Sequence, residues 1–542
     1  MHQLNKSSKL PLGTTLKDGE AHEKHHQDWS RRTFLKNLGL AGTGAMLLGK
    51  IPVTALANNP LSQALADTNS DRILVLIRLK GGNDGLNTIV PLFDYGTYTR
   101  LRPTLAIPRN EVISLDDGEG IPNTMEPLLR LWQDGQMKVA HNIGYADQNL
   151  SHFRSSDIWA SASDADVFKT SGWLGRYIND TYPDFIENPP DHPPAIQIGG
   201  TGNLIFNNAN MFNLSMVVSS PEELAEIAET GQLFNTNNVP ECHYGDQMKF
   251  VRAVANTTFK YADVISDTYE KGKNNEEYAE DLGAQLALVA RLIKGGLRTR
   301  MYMVSIDGFD THANQLTDHP KLVSTLARAV RNFYDDLASA DLDKKVLSMS
   351  ISEFGRRIEQ NGSNGTDHGA AAPMMLFGPG LEGNGFVGER PNFQDLDANG
   401  NLKFELDFRS IYSTVLESWL CIDSNVVDQV MGSSFPRVPA LGLACLATST
   451  SSRTSREKLQ YKLINSSGEV KIQYQLPESG PVRIYIFDIL GRKVADLQNG
   501  YQTSGTHEVT FSNNRSQLVA ANYVLHIDAG RYMVSEQFGM IR

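Results

Sequence analysis

The chain reads as an α/β protein, a mostly parallel sheet flanked by helices, followed by a small C-terminal β-sandwich. Three observations support that fold class. Between about residues 70 and 445, short apolar runs alternate with amphipathic helical stripes, as in sheets covered on both faces. After the polar run Thr448 to Ser455, the pattern changes to short segments with apolar side chains at alternate positions. The 542 residues exceed one ordinary domain, and 40% hydrophobic with 21% charged residues is the composition of a folded globule.

Ile73 to Ile77 is a continuous apolar run, which predicts a strand buried on both faces. Met125, Leu128, Leu129 and Trp132 then fall at helical spacing. Met137 to Ala140 and Ala195 to Ile198 read as strands. Residues 245 to 295 are strongly helical, with Leu282, Leu286, Val289 and Ile293 along one face. The strand Met301 to Ile306 follows, then a helix carrying Leu322, Leu326, Val330, Phe333 and Leu337. Val346 to Ile351 and Met374 to Phe377 complete the strands of this region. Past the polar run, Val482 to Phe487, His507 to Phe511 and Tyr523 to Ile527 alternate as strands of a small sandwich.

Lys and Arg number 50 against 62 Asp and Glu, a formal charge of −12, which argues against a nucleic-acid partner. No apolar run reaches the length of roughly 20 residues that spans a bilayer, so the mature chain is expected to lack a transmembrane segment. Residues 1–29 are polar; His22, His25 and His26 among them read as a solvated leader. Ser30-Arg31-Arg32-Thr33-Phe34-Leu35-Lys36, a short apolar stretch from Leu38 to Gly49, and Ala55-Leu56-Ala57 have the three-part order of an export signal. The Arg31-Arg32 pair in that setting resembles a twin-arginine signal, which implies a twin-arginine translocase, export of the folded chain, and a mature start near Asn58. Outside the cytoplasm Cys421 and Cys445 are candidates for a disulfide, with Cys242 left over; spacing does not establish the bridge.

At the other end, Tyr474-Gln475-Leu476-Pro477, the phrase Ile486 to Arg492 and the strand at Tyr523 resemble the type A sorting domain of the type IX secretion system of Bacteroidetes-like bacteria. Ala521-Asn522-Tyr523 stands where that family usually has Gly-x-Tyr. The resemblance implies the type IX secretion machinery as a partner; a carbohydrate-binding or spacer sandwich is the alternative. The expected division is a signal peptide at 1–57, an α/β body at 58–445, a Ser/Thr-rich linker at 446–458 and a sorting sandwich at 459–542. The expected destination is the periplasm, then the cell surface or medium.

Open parallel sheets bind ligands beyond the carboxyl ends of their strands, so the segments after each strand carry the chemistry. Gly81-Gly82-Asn83-Asp84-Gly85 follows the first strand; His141 and later Ser151-His152-Phe153 follow the second. Asp307 to His312 follows Ile306, and Ser352-Glu353-Phe354-Gly355-Arg356-Arg357 follows Ile351. Thr366-Asp367-His368-Gly369 precedes the last strand. Carboxylates and imidazoles without cysteine suit Zn, Mn or another divalent ion. Asp310 and His312 share one face of an extended chain, so both reach a single ion. Arg356 and Arg357 suit an anionic substrate. Each piece also has an ordinary reading: turn residues around Asp84, caps at Asp310 and Asp367, a solvated loop at the arginines. Adjacent strand residues face opposite ways, which argues against a direct Ser151–His152 dyad.

Seven motifs in order, Leu79 to Asn87, Leu101 to Leu105, Ser151 to Trp159, Gly172 to Arg176, Gly308 to His312, Ser352 to Arg356 and Thr366 to Gly369, resemble domain-of-unknown-function family 1501. The resemblance runs from about Ile73 to Leu420. That family is grouped with the alkaline phosphatase and sulfatase superfamily, which implies an alkaline-phosphatase-like fold and a pair of divalent metals. Zn is first; Mn, Ca and Fe are alternatives. Carried over by order, the implied ligands are Asp84, Asp310, His312, Glu353, Asp367 and His368, with Ser151 as nucleophile and Arg356 as catalytic cation. The central Asp-x-His is shorter than the superfamily's Asp-x-x-x-His, and the sulfatase Cys-x-Pro-x-Arg motif is absent. The implied function is a hydrolase of phosphate or related esters, its substrate a small anionic ester or glycan; the alternative is a catalytically inactive binding protein on the same fold.

Overall fold

The computed structural model describes residues 71–445 and 459–542, apart from 187, 201, 220–226, 229–232, 237–238, 240–242, 280, 383–384, 467–468, 478, 489–492, 513–521, 530–531 and 540–542. The segments expected to be a twin-arginine signal and a linker, and Cys242, therefore lie outside the described residues, as do Ile489 to Arg492 of the expected sorting motif. The described chain forms two compact units, one reaching to Cys445 and one made of the residues after it.

The first unit is built on a nine-stranded sheet. Eight strands lie in the order Gly385–Val387, Met137–Gly144, Ala372–Phe377, Val346–Ser352, Ile73–Leu79, Met301–Ile306, Ala195–Ile198 and Met216–Val218, and Leu406–Asp407 also pairs with Met137–Gly144. Every pairing is parallel except the two made by Ala372–Phe377. The mostly parallel α/β class expected from the sequence is thus the observed one. Leu74, Val75, Leu76 and Ile77 are fully buried, as a strand with helices on both faces requires. Val75, Ile77 and Leu79 join one core with Leu286 and Val289 of helix Leu282–Lys294 and Val330 and Phe333 of helix Gln315–Ala338. The Met125 stripe is buried too, but Pro127 removes an N–H, and the segment starts as a 3-10 turn, Asn123–Leu128, before the α-helix Leu129–Gln133. Cys421 and Cys445 are joined, with Cα atoms 5.3 Å apart. Among the described residues, no helix is long and apolar enough to cross a membrane.

The second unit has two antiparallel sheets, one of three strands and one of four. Val470, Ile472, Tyr474 and Phe511 from the first share a core with Val482, Ile484, Leu525, Ile527 and Phe538 from the second. Alternate burial along Glu469–Leu476 is the period-two pattern of a sheet with one covered face.

Parallel strands end together, so the loops after Leu79, Gly144, Ile306 and Ser352 gather at one edge, joined by the segment entering the antiparallel strand at Ala372. Gly81 and Gly82 let them close in. Both have positive φ, and a Cβ would strike the Asp310 backbone at the first and the Phe354 ring at the second.

Beneath that edge lies a buried ion pair. Arg102 Nη1 is 2.6 Å from Asp84 Oδ2, with both side chains fully buried. The same guanidinium donates to Asn87 Oδ1 and to the carbonyls of Arg357 and Ile358, 2.7–2.8 Å away. Asp84 also accepts from Leu86 N, capping the helix Gly85–Thr88, and from Gln315 Nε2. This corrects the expectation that Asp84 is a metal ligand: its oxygens are spent on holding three segments together. His319 Nε2 donates to Asn83 Oδ1 at 3.1 Å, and burial lowers its pKa from 6.5 to about 4, outweighing the attraction of Asp84.

Two outcomes follow from this network. Arg102→Met strands the Asp84 charge in the interior and is expected to cost about 3–5 kcal/mol in urea unfolding. Adding Asp84→Asn should recover part of that loss, and a double variant no more stable than the single would contradict the pairing. His319 stays neutral when folded but takes a proton when unfolded, so its contribution is complete above pH 6.5 and is lost as pH falls toward 4. The loss should be about 3 kcal/mol, read as a pH-dependent unfolding midpoint that His319→Gln flattens.

Candidate metal centre

Three segments bring three imidazoles and one carboxylate to a point above the sheet edge. His152 is the first residue of helix His152–Ser161, reached from the strand Met137–Gly144. Asp310 and His312 lie on the loop after Met301–Ile306, and His368 is in a two-residue strand paired with Gly355–Arg356. His152, Asp310 and His368 each offer a ligand atom within 4.8 Å of the others. His152 Nε2 is 3.4 Å from Asp310 Oδ2, and His368 Nε2 is 3.2 Å from Asp310 Oδ1. His312 Nε2 adds itself at 3.3 Å from Asp310 Oδ1 and 2.9 Å from His368 Nε2.

The outer nitrogens each face an acceptor. His152 Nδ1 is 2.6 Å from Glu353 Oε2, His312 Nδ1 is 3.0 Å from Asp367 Oδ1, and His368 Nδ1 is 2.8 Å from the Leu150 carbonyl. Each partner accepts, so each ring donates through Nδ1 and turns Nε2 toward the cluster. Three Nε2 atoms therefore face the Asp310 carboxylate, and those of His312 and His368 stand 2.9 Å apart. Nitrogens and a carboxylate converging in this way are a donor set that suits a cation. Rings held from behind by carboxylates or carbonyls are the usual support of a metal site. The side chains of His152, Asp310 and His312 are 34, 47 and 45% exposed, so the cluster is open on one side, as sites that admit a substrate are.

Electrostatics keep the donor set in its binding form. Burial raises the Asp310 pKa, but hydrogen bonding and charge from Arg356, with His368 and His152, outweigh it and hold the carboxyl below its usual range. Burial lowers the His368 pKa, outweighing its bonds to the Leu150 carbonyl and Asp310, which favours the neutral ring. Asp367 is lowered chiefly by the Asn361 hydrogen bond and then by His312.

Of the residues expected from the sequence, Asp310, His312 and His368 direct atoms into the cluster. Two others correct their assigned roles. Glu353 is buried between His152 and Arg78, whose Nη2 is 3.3 Å from Oε1, so it stands behind His152 and does not reach into the cluster. Asp367 stands behind His312 in the same way. Arg356 is also corrected: its fully buried guanidinium donates to the carbonyls of Gly81, Gly82, Phe309 and Thr366 and lies 2.7 Å from Asp310 Oδ1. It anchors the loops and has no route to a substrate. Ser151 is exposed at the N-cap and makes no side-chain cap bond.

His152 was absent from the expected ligands because Ser151-His152 was read as extended chain. The signal was there: Ser is a preferred N-cap, and Ile158 and Trp159 begin an apolar stripe beyond it. The helix begins directly after Ser151, and its first residue, His152, lies at the cluster.

A family model described as "Protein of unknown function (DUF1501)" matches residues 138–431, more than half of the chain. No curated protein matches it. Among solved structures, the chain is similar to a protein in the alkaline phosphatase superfamily from Vibrio parahaemolyticus, with 9% identity over 89% of this chain and 84% of that one and a TM-score of 0.29. A phosphonate monoester hydrolase from Silicibacter pomeroyi gives 7% identity over 87% and 89% of the two chains, with a TM-score of 0.31. A β-glucuronidase from an uncultured Clostridium sp. shares 16% identity over 15% of each chain, with a TM-score of 0.11, so this chain spans under a sixth of that enzyme's length. The fold assignment rests on the sheet order itself. Through its family-model match, which takes in His152, Asp310, His312 and His368, the chain belongs to the family described as protein of unknown function DUF1501.

Proposed function

We propose that the chain is an exported, metal-dependent hydrolase of phosphate or related esters, acting on a small anionic ester or glycan. The observation that carries the reading is the convergence of three imidazole Nε2 atoms and the Asp310 carboxylate at an accessible point. His152, Asp310, His312 and His368 would hold a divalent ion, Zn first, with Mn, Ca or Fe as alternatives. When bound, such an ion supplies Lewis-acid polarisation and neutralises charge on the ester.

The chain's own residues do the positioning. Glu353 and Asp367 keep protons on Nδ1 of His152 and His312, and Arg356 keeps Asp310 ionised and in place. Ser151 stands one residue before His152, exposed, at the positive end of a ten-residue helix that favours an anionic group. Its hydroxyl, or a water in the same place, is the nucleophile: it gives its proton to solvent as its oxygen bonds phosphorus, the ester phosphorus–oxygen bond breaks, and the displaced alkoxide takes a proton from solvent. Where Ser151 attacks, a water then cleaves the seryl phosphate, releasing phosphate and restoring the hydroxyl. The twin-arginine translocase would deliver the folded chain and the type IX machinery would carry it outward, as the two ends of the sequence suggest.

Protein purified without chelator is expected to contain divalent metal and to hydrolyse at least one member of a panel of phospho-, phosphono- and sulfo-esters. Metal-free protein that turns over none of them rejects the proposal. His152→Ala should lower metal content at least about tenfold, and Ser151→Ala should abolish turnover with metal retained if the hydroxyl attacks. Glu353→Gln is expected to weaken metal affinity by about 10–100-fold, measured by competition with a chromogenic chelator. Unchanged affinity would deny Glu353 its orienting role.

A further inference from the structure

The superfamily resemblance implies two cations, and the donor set fits only the first. Three of the four carboxylates expected to serve them already have a guanidinium each: Asp84 has Arg102 at 2.6 Å, Asp310 has Arg356 at 2.7 Å, and Glu353 has Arg78 at 3.3 Å. Asp84 has no exposed surface, one oxygen on Leu86 N and the other on Arg102 and Gln315. Both Glu353 oxygens are taken, one by His152 and one by Arg78. The fourth carboxylate, Asp367, accepts from His312 and Asn361 through Oδ1.

From this arrangement we infer that the site takes one divalent ion, and that the buried guanidinium of Arg356 supplies the fixed positive charge a second ion would otherwise bring. Arg356 cannot move aside, because four backbone carbonyls from three loops hold it and its side chain is wholly buried. A second dication sharing Asp310 would add its charge beside a guanidinium already 2.7 Å from Oδ1, and like charges repel. Of the four expected carboxylates, that leaves a second ion a single oxygen, Oδ2 of Asp367. Positive charge that is part of the fold also needs no loading, so Asp310 is held ionised before any metal arrives.

The inference rests on the reading that this cluster binds metal, and counting separates the two. The full chain, equilibrated with Mn(II) or Zn(II) and freed of excess, is analysed by native mass spectrometry and elemental analysis. One ion per chain is expected, with the six-line electron paramagnetic resonance signal of an isolated Mn(II). His152→Ala, at a partly exposed position, should reduce that one ion to below about a tenth per chain. Two ions per chain, or the multiline signal of a coupled pair, overturns the single-ion inference and leaves the metal reading standing. No retained ion overturns the metal reading itself.

Discussion

The site hangs on Arg356. A guanidinium cut off from water must spend its N–H groups on acceptors, and here these are backbone carbonyls of Gly81, Gly82, Phe309 and Thr366 together with the Asp310 carboxylate. The Gly81-Gly82 loop lies more than 200 residues before the loops of Phe309 and Thr366, so one side chain sets the distances among segments remote in sequence. Gly81 and Gly82 permit the close approach, because any Cβ there would collide with the Asp310 backbone or the Phe354 ring. Arg102 repeats the device one layer deeper, tying Asp84 to the backbone at Arg357 and Ile358.

On that rigid base the imidazoles are aimed from behind. Glu353, Asp367 and the Leu150 carbonyl each accept from an Nδ1, which leaves three Nε2 atoms facing the cluster. Asp84, Asp310 and Asp367 are each kept ionised by arginine, amide or imidazole neighbours. Burial does the complementary work on His368, which it keeps neutral.

The fold class was legible because its signals are local. Ile73 to Ile77 is apolar on both faces, and Leu282, Leu286, Val289 and Ile293 recur at helical spacing; the observed strand and helix follow those patterns. Half of the site was legible for a similar reason. Asp310-x-His312 and Asp367-His368 are short phrases beside strand ends, where a parallel sheet places its ligands. Roles were harder to read than positions. Asp84 and Glu353 look like ligands by residue type, yet one is buried against Arg102 and the other stands between His152 and Arg78. His152 was missed because it is presented by a helix that starts directly after Ser151, and a serine is common in loops as well as at helix starts.

Sequence alone therefore determined the alternation of strands and helices, the segments that meet at the sheet edge, and a chemistry of oxygen and nitrogen donors in a chain with three cysteines. It did so because periodicity, turn residues and donor type are properties of short stretches of chain. Tertiary structure decided which carboxylates reach the cluster and which stand behind its histidines, which partner faces each outer nitrogen, and that Cys421 pairs with Cys445. Those outcomes depend on partners up to 275 residues away, since a carboxylate's role is set by the cation or imidazole that folding brings beside it.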